Sequence, residues 1–125
     1  MKFRDKYYFL SNMYQFDGDC VERRYQQAKC LYEEDAQLFE GLDGFQAKKL
    51  GKKITIRPDW NNIKVQVMED LLRWKFSNKV LKAKLRAVKG PIIEENWWGD
   101  RFWGTCDGSG KNILGKILEV IRSEE

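Results

Sequence analysis

The 125-residue chain contains no histidine. That absence excludes Ser-His-Asp and Cys-His nucleophilic chemistry and any histidine-ligated zinc. Acid–base work must fall to Asp, Glu, Lys, Tyr or Cys. Cysteine is scarce too: Cys20, Cys30 and Cys106 lie far apart and are odd in number, so no zinc knuckle or redox pair is formed by spacing. They read as free thiols in a reducing compartment. The only two prolines, Pro58 and Pro91, sit at breaks between helical patterns. No apolar run approaches the length of a membrane span. The charged start Met1-Lys2-Phe3-Arg4-Asp5-Lys6 is not followed by the apolar core of a signal peptide. The expectation is a cytoplasmic protein with no membrane partner. Internal repeats, low-complexity tracts and linkers are also missing, which predicts one domain over residues 1–125.

What is present is a chain 42% hydrophobic, with five tryptophans and a net charge of +4. A single core is within reach of this length. The mild basic excess suits phosphate-bearing ligands but does not argue for nucleic acid by itself. Aromatic side chains outside a core often stack on bases or sugars.

The predicted architecture is α+β, predominantly helical, with a few short strands. Tyr7 to Leu10 reads as a short strand, and Asp17-Gly18-Asp19 as a turn. Helical spacing of Tyr25, Ala28, Leu31 and Tyr32 predicts a helix from Val21 to about Tyr32. Further helices are expected over about Glu34 to Glu40, over Gly44 to Leu50 behind an Asp43 cap, and over Trp60 to Phe76 behind Asp59. Another runs from Leu81 to Val88. Ile54-Thr55-Ile56 reads as a short strand or extended loop, and Ile92-Ile93-Glu94 as a short strand. The last helix, about Asn112 to Ile121, carries Ile113, Leu114, Ile117, Leu118 and Ile121 on one face.

Three places look unlike scaffold. Glu22, Gln26 and Lys29 form one polar stripe on a helix; seven residues of helix rise about 10 Å, too far for a plain salt bridge and suited to flanking a sugar. A solvated helix face gives the same spacing. Trp97-Trp98-Gly99-Asp100-Arg101-Phe102-Trp103-Gly104 demands either burial or a flat ligand. Gly108-Ser109-Gly110-Lys111-Asn112 opens the last helix, where free N–H groups would favour an anion. It lacks the Walker A spacing, and a plain glycine-rich turn reads equally well.

The order of motifs is more specific than any one of them. Phe9-Leu10-Ser11-Asn12-Met13-Tyr14 is followed by Asp17-Gly18, then Glu22, Gln26 and Lys29. Ala47-Lys48, Leu50-Gly51, Arg57-Pro58-Asp59-Trp60, Lys64, Val67-Met68 and Lys75-Phe76 come next. Glu94, Asp100, Phe102-Trp103-Gly104, Gly110, Asn112 and Leu114-Gly115 complete the set. This series resembles the NADAR (YbiA-like) domain family nearly from end to end.

The resemblance implies a compact, mostly helical domain that hydrolyses N-glycosidic bonds without metal or redox cofactor. It points to a phosphorylated ribosyl small molecule of the riboflavin pathway, or to DNA carrying ADP-ribosylated guanine, as substrate. An oxocarbenium-like ribose then needs a carboxylate near C1. Glu22 is the first candidate, Asp100 the second and Glu94 the third; paired carboxylates serve O-glycosidases in the same way. For some members the resemblance suggests a lysine that attacks C1 of an opened ribose, here Lys29, its pKa lowered by burial or by Arg23 and Arg24. Trp60 and Trp103 are expected to stack on the base or ribose. Asn12 and Asn112 are expected on the sugar hydroxyls, Gln26 beside them, and Arg57, Lys111 and the Gly108–Gly110 turn on phosphate.

The chain departs from the family around Glu22. The segment after Tyr14 is short, Asp19-Cys20 replaces a small or hydroxyl residue and an aromatic, and Arg23-Arg24 follows the carboxylate. These changes bear on substrate choice. They give weight to an alternative, a non-catalytic module that binds ADP-ribose or a nucleotide. A nucleic-acid-binding protein using Trp97, Trp98 and Trp103 as a platform is a third reading, disfavoured by the small net charge.

Overall fold

The computed structural model describes residues 1–96 and 98–124. About half of the chain is helical. A 3₁₀ helix, Asp5–Leu10, precedes six α-helices: α1 Val21–Ala28, α2 Glu33–Gln37, α3 Gly44–Leu50, α4 Trp60–Lys75, α5 Lys79–Ala87 and α6 Ile113–Ser123. Among the described residues no strand forms beyond two isolated bridges, Phe16 with Asp19 and Cys30 with Ile56. No helix among them is long and apolar enough to cross a membrane.

The chain forms two compact units, Asn12–Lys75 and Met1–Ser11 with Phe76–Glu125. In the Asn12–Lys75 unit, Cys20, Val21, Tyr25, Phe39, Ala47, Trp60, Met68 and Leu72 are buried. Helix α1 starts where the Cys20 thiol accepts from the Arg23 N–H at 3.5 Å and the Asn12 carbonyl accepts from the Glu22 N–H at 3.0 Å. Two of the N–H groups orphaned at a helix start are thereby satisfied. Helix α3 opens with a capping box between Asp43 and Gln46, the reciprocal arrangement that favours a sharp start. Along α4 the stripe Met68, Leu72 is buried, as the 3.6-residue period requires.

In the other unit Phe9, Leu10, Phe76, Leu81, Leu85, Val88, Ile92, Leu114, Ile117 and Leu118 are buried. Asn78 caps α5 by accepting from the Val80 and Leu81 N–H groups. The α6 face that is buried is Leu114, Gly115, Ile117 and Leu118.

Three expectations change. Residues 7–10 are 3₁₀ helix rather than strand: Phe9 and Leu10 are both buried, whereas a strand would send neighbours to opposite faces. Helix α1 ends at Ala28 rather than near Tyr32. The chain there turns to pair with residues 55–57, with Leu31 N–H donating to the Thr55 carbonyl and Arg57 N–H to the Lys29 carbonyl, each at 2.9 Å. Leu31 and Tyr32 are consequently exposed. Residues 92–94 do not enter a ladder; their partners include the Asn112 and Glu119 side chains and Thr105.

Candidate active site

The Glu22–Gln26–Lys29 stripe forms a continuous hydrogen-bonded chain. Gln26 Nε2 donates to Glu22 Oε1 at 2.9 Å, and Lys29 Nζ donates to Gln26 Oε1 at 2.9 Å. Both ends of the Gln26 amide are therefore engaged, and the gap expected to flank a sugar holds this amide instead. Lys29 Nζ also reaches the Gly51 carbonyl at 3.5 Å. Glu22 and Gln26 are buried, 8% and 7% exposed. This separates the stripe from a solvated helix face, in which both would point into water. Burial pushes the Lys29 amine below its ordinary pKa, and the Glu22 charge works against that.

Arg23 and Arg24 do not supply the cationic field expected for Lys29. Arg23 is buried and holds Asp19 with two bonds, Nε to Oδ1 at 2.7 Å and Nη2 to Oδ2 at 2.9 Å. Its remaining nitrogen donates to Gln27 Oε1 at 3.1 Å. Arg24 Nε also meets Asp19 Oδ2 at 2.7 Å, and its guanidinium lies 4.0 Å from the Trp74 ring centroid, within cation–π range. Burial pushes the Asp19 carboxyl up, but the two guanidiniums outweigh it and hold it at about 2. The unusual residues on either side of Glu22 thus pair with one another: Asp19 compensates Arg23 and Arg24.

Three more candidates lie in the same unit. Asn12 donates to the Met68 sulfur at 3.6 Å, a weak acceptor, and its Oδ1 is buried with no partner among the described residues. An unmet buried acceptor is costly and is what a ligand-facing amide would show. Arg57 is half-exposed and paired with Asp59, Nε to Oδ1 at 2.7 Å and Nη2 to Oδ2 at 3.0 Å. Trp60 departs from the stacking role: it is buried against Tyr25, ring centroids 5.0 Å apart, so its faces are spent on the core.

The aromatic and glycine-rich segment belongs to the other unit, and several of its polar side chains bind backbone, although Asn96 Oδ1 is buried with no hydrogen-bond partner among the described residues and Arg101 pairs with the exposed Asp107. Asp100 Oδ1 accepts from the N–H groups of Phe102 and Trp103 at 3.1 and 3.0 Å, as in an Asx turn. Asn96 Nδ2 donates to the Asp100 carbonyl at 2.9 Å. Trp103 packs edge-on against Phe102, centroids 4.8 Å apart. Trp97 lies outside the described residues, and Trp98 is exposed. Asn112 is buried, with a left-handed backbone (φ 52°). Its Oδ1 accepts from the Glu94 N–H at 3.0 Å and its Nδ2 donates to the Ile92 carbonyl at 2.9 Å. That commits the amide expected on a sugar hydroxyl. Glu94 is buried as well, 8% exposed, and its carbonyl accepts from the Thr105 N–H at 2.9 Å.

The free N–H groups expected before α6 are occupied. Gly108 and Gly110 donate to the Thr105 carbonyl, Lys111 to Arg101, Asn112 to Gly104, Ile113 to Phe102 and Leu114 to Trp103; Ser109 donates to Asp107. These bonds clamp the 101–105 loop onto the helix start and remove the backbone argument for phosphate there. Gly110 is glycine for packing: a Cβ would lie 2.8 Å from Thr105 Cα and 2.9 Å from Arg101 Cα. Lys111 Nζ lies 5.8 Å from the Phe102 ring centroid.

Sequence reasoning missed Lys75 as a candidate. It is fully buried at the end of α4, its Nζ 5.6 Å from the Tyr14 ring centroid, and burial pushes its amine down to about 7. The signal was available: Lys75 falls three residues after Leu72 on the buried stripe of α4, where a lysine is out of pattern.

Comparison with known proteins agrees with the order of motifs. The family model for the NADAR domain matches residues 2–124. A riboflavin biosynthesis protein of Vibrio vulnificus is 35% identical over 130 residues, covering 93% of this chain and 35% of that protein. The chain thus spans about a third of that relative's length. An N-glycosidase of Nostoc punctiforme is 30% identical over 112 residues, covering 83% of this chain and 72% of that protein. The solved structure of the Escherichia coli protein YbiA superposes with a TM-score of 0.84 at 29% identity, over 98% of this chain and 80% of that one. With its fold, its motif order and the family model in agreement over nearly every residue, this chain belongs to the NADAR domain family.

Proposed function

We propose that the protein is an N-glycosidase that hydrolyses the ribose C1–N bond of a phosphorylated, nucleotide-derived substrate. The observation that carries this reading is the hydrogen-bonded chain from the buried Glu22 and Gln26 to the half-buried Lys29. The names of the Nostoc relative and of the YbiA proteins, N-glycosidases, support the reaction type. The riboflavin biosynthesis relatives favour a ribosylamino-pyrimidine phosphate over ADP-ribosylated guanine in DNA.

As the C1–O4 bond of the ribose opens, positive charge grows on C1 and its nitrogen. Glu22 supplies a carboxylate that is already desolvated and held in place by Gln26, so little reorganisation is needed to stabilise that charge. Lys29 is the nucleophile of the scheme. With O4 protonated and C1 held as an iminium on the base nitrogen, the neutral Lys29 amine, favoured by partial burial, adds to C1. One proton passes from the Lys29 nitrogen to the base nitrogen, and the base departs as a neutral amine, leaving an iminium on Lys29. Water then hydrolyses the resulting iminium and returns the free amine and the ribose phosphate. Asn12, with its unmet Oδ1, accepts a hydrogen bond from a sugar hydroxyl. Arg57 is the phosphate contact, trading one bond with Asp59 for the ligand. Asp100, Asn112 and the Gly108–Gly110 turn are assigned to scaffold and left out of the reacting set.

The non-catalytic alternative rested on the changes around Glu22. Asp19, Arg23 and Arg24 satisfy each other, and Glu22 keeps its own partner. The test is incubation with a phosphorylated ribosylamino-pyrimidine and, separately, with DNA carrying ADP-ribosylated guanine, with released base read by mass spectrometry. Borohydride is added to trap any enzyme–sugar imine on Lys29. Release that Glu22→Gln abolishes is the expected result. Stoichiometric binding of either compound without release overturns the reading.

A further inference from the structure

Gly51 is a glycine without a backbone reason to be one. It follows α3 with φ −59° and ψ −18°, right-handed helical values that every residue adopts. Alanine is the better residue there on propensity and on unfolded-state entropy. The reason for glycine is steric. A Cβ at this position would fall inside contact distance of Gln26 Oε1 and 2.9 Å from Gln26 Cδ. The next nearest atom, the Ala47 carbonyl oxygen, is 3.2 Å away. The obstacle is thus the far end of one flexible side chain, which can swing away at little cost to the fold. That same side chain bridges Glu22 and Lys29.

The first residue of α3 is also closely packed, chiefly against Met13. A Cβ on Gly44 would lie 2.5 Å from Met13 Sδ and 3.2 Å from Glu22 Cβ. The glycines that flank and open α3 thus stand close to α1, Gly51 at the Gln26 amide and Gly44 near the Glu22 Cβ. The Gly51 carbonyl adds a bond to Lys29 at 3.5 Å.

We propose that Gly51 is a positioning residue: by having no side chain it leaves the space in which Gln26 lies, and through Gln26 it sets the placement and hydrogen bonding of Glu22 and Lys29. This rests on the reading of Glu22 and Lys29 as the reacting groups. The groups that act on the Lys29 amine are Gln26 and the Gly51 carbonyl by hydrogen bond, and Glu22 and Cys30 by charge. Displacing Gln26 removes an acceptor from the ammonium, which disfavours the charged form.

The experiment is a double-mutant cycle of Gly51→Ala and Gln26→Ala in the full chain. Three quantities are read: the thermal midpoint, kcat and KM on the N-glycoside that the protein cleaves, and the pH dependence of Lys29 labelling by trace acetic anhydride, followed by peptide mass spectrometry. Gly51→Ala is expected to fold, with a midpoint lowered by the loss of the Gln26 hydrogen bonds to Glu22 and Lys29 and partly offset by the better helix propensity of alanine. Its kcat falls by about 10- to 100-fold, the cost of misplacing a reacting group by about an ångström, with KM changed less than about threefold. Lys29 labelling shifts to lower pH. In a Gln26→Ala background the same substitution changes neither kcat nor labelling, because the side chain it displaces is gone. Wild-type kcat and labelling in Gly51→Ala, or full additivity in the double mutant, overturns the proposal. If Gly51→Ala fails to fold, a folded double mutant supports it and an unfolded one overturns it, since then more than Gln26 fills the space. If the wild-type protein cleaves no N-glycoside, the functional reading fails, and the labelling cycle still decides the role of Gly51.

Discussion

The α1 stripe and the 94–112 segment are both dense in polar residues, yet they use them in opposite ways. On α1, side chain meets side chain: Glu22, Gln26 and Lys29 are linked end to end, and Asp19 is shared by Arg23 and Arg24. In the later segment, Asp100, Asn112 and Asn96 meet backbone: Asp100 caps Phe102 and Trp103, Asn112 spans Ile92 and Glu94, and Asn96 Nδ2 holds the Asp100 carbonyl, while Asn96 Oδ1 is buried with no hydrogen-bond partner among the described residues. Side chains spent on backbone build a loop and are satisfied before any ligand arrives. Side chains that pair mainly with one another inside a protein form an electrostatic network whose members depend on each other. This contrast is why the proposed chemistry is placed on the α1 stripe, with Asp100 and Asn112 as scaffold.

That contrast predicts that substitutions on the stripe cost activity, while those in the loop cost stability. The largest effect is expected for Glu22→Gln. It keeps the volume of the side chain and lowers kcat by about 10²- to 10⁴-fold, with the thermal midpoint nearly unchanged in calorimetry. A fall in midpoint matching the fall in rate would make Glu22 structural and erase the distinction. Asn112→Ala comes next. It leaves the Glu94 N–H and the Ile92 carbonyl without their side-chain partner and costs about 2–4 kcal/mol in a denaturant titration. The fraction that stays folded at low temperature keeps its kcat. Loss of kcat without loss of stability would move Asn112 into the reacting set.

Lys75 tests the stripe's unit by pH. Its amine is at about 7 in the folded protein against an ordinary 10.5. Between those values the unfolded chain binds a proton that the folded one does not, so stability rises with pH above about 7, by up to about 1.4 kcal/mol per unit. Cys20, whose thiol is raised by burial, opposes this above its ordinary value of 9.0. The rise is therefore expected from pH 7 to 9, and Lys75→Met should remove most of it in pH-dependent unfolding, leaving the part due to Lys29, whose amine burial also lowers. A slope that survives the substitution undiminished would place the titrating group elsewhere. The smallest effect is expected for Asp100→Asn, which retains an oxygen for the Phe102 and Trp103 N–H groups. Its kcat should stay within about threefold of the wild-type value. A hundredfold loss would show that the carboxylate charge itself reacts and that the loop is more than scaffold.

Much of this was legible in the residues before any folding was considered. The absence of histidine narrows the acid–base groups. The Asp43 cap with Gln46 at the third helical position places α3 over Gly44–Leu50 as expected, because capping is a contact between residues three apart. The α1 stripe is equally local, three side chains on successive turns of one helix, and the motif order carries the family.

Tertiary structure alone decided what each polar group is for. Trp60 and Trp103 look alike in sequence, but one is buried on Tyr25 and the other edges onto Phe102 in a loop. Asn112 finds its partners twenty and eighteen residues back, and Gly51 has its reason for being glycine in Gln26. Periodicity and capping depend on neighbours within a turn or two, so a sequence displays them. The partner of a side chain depends on where the chain returns, and only packing decides that.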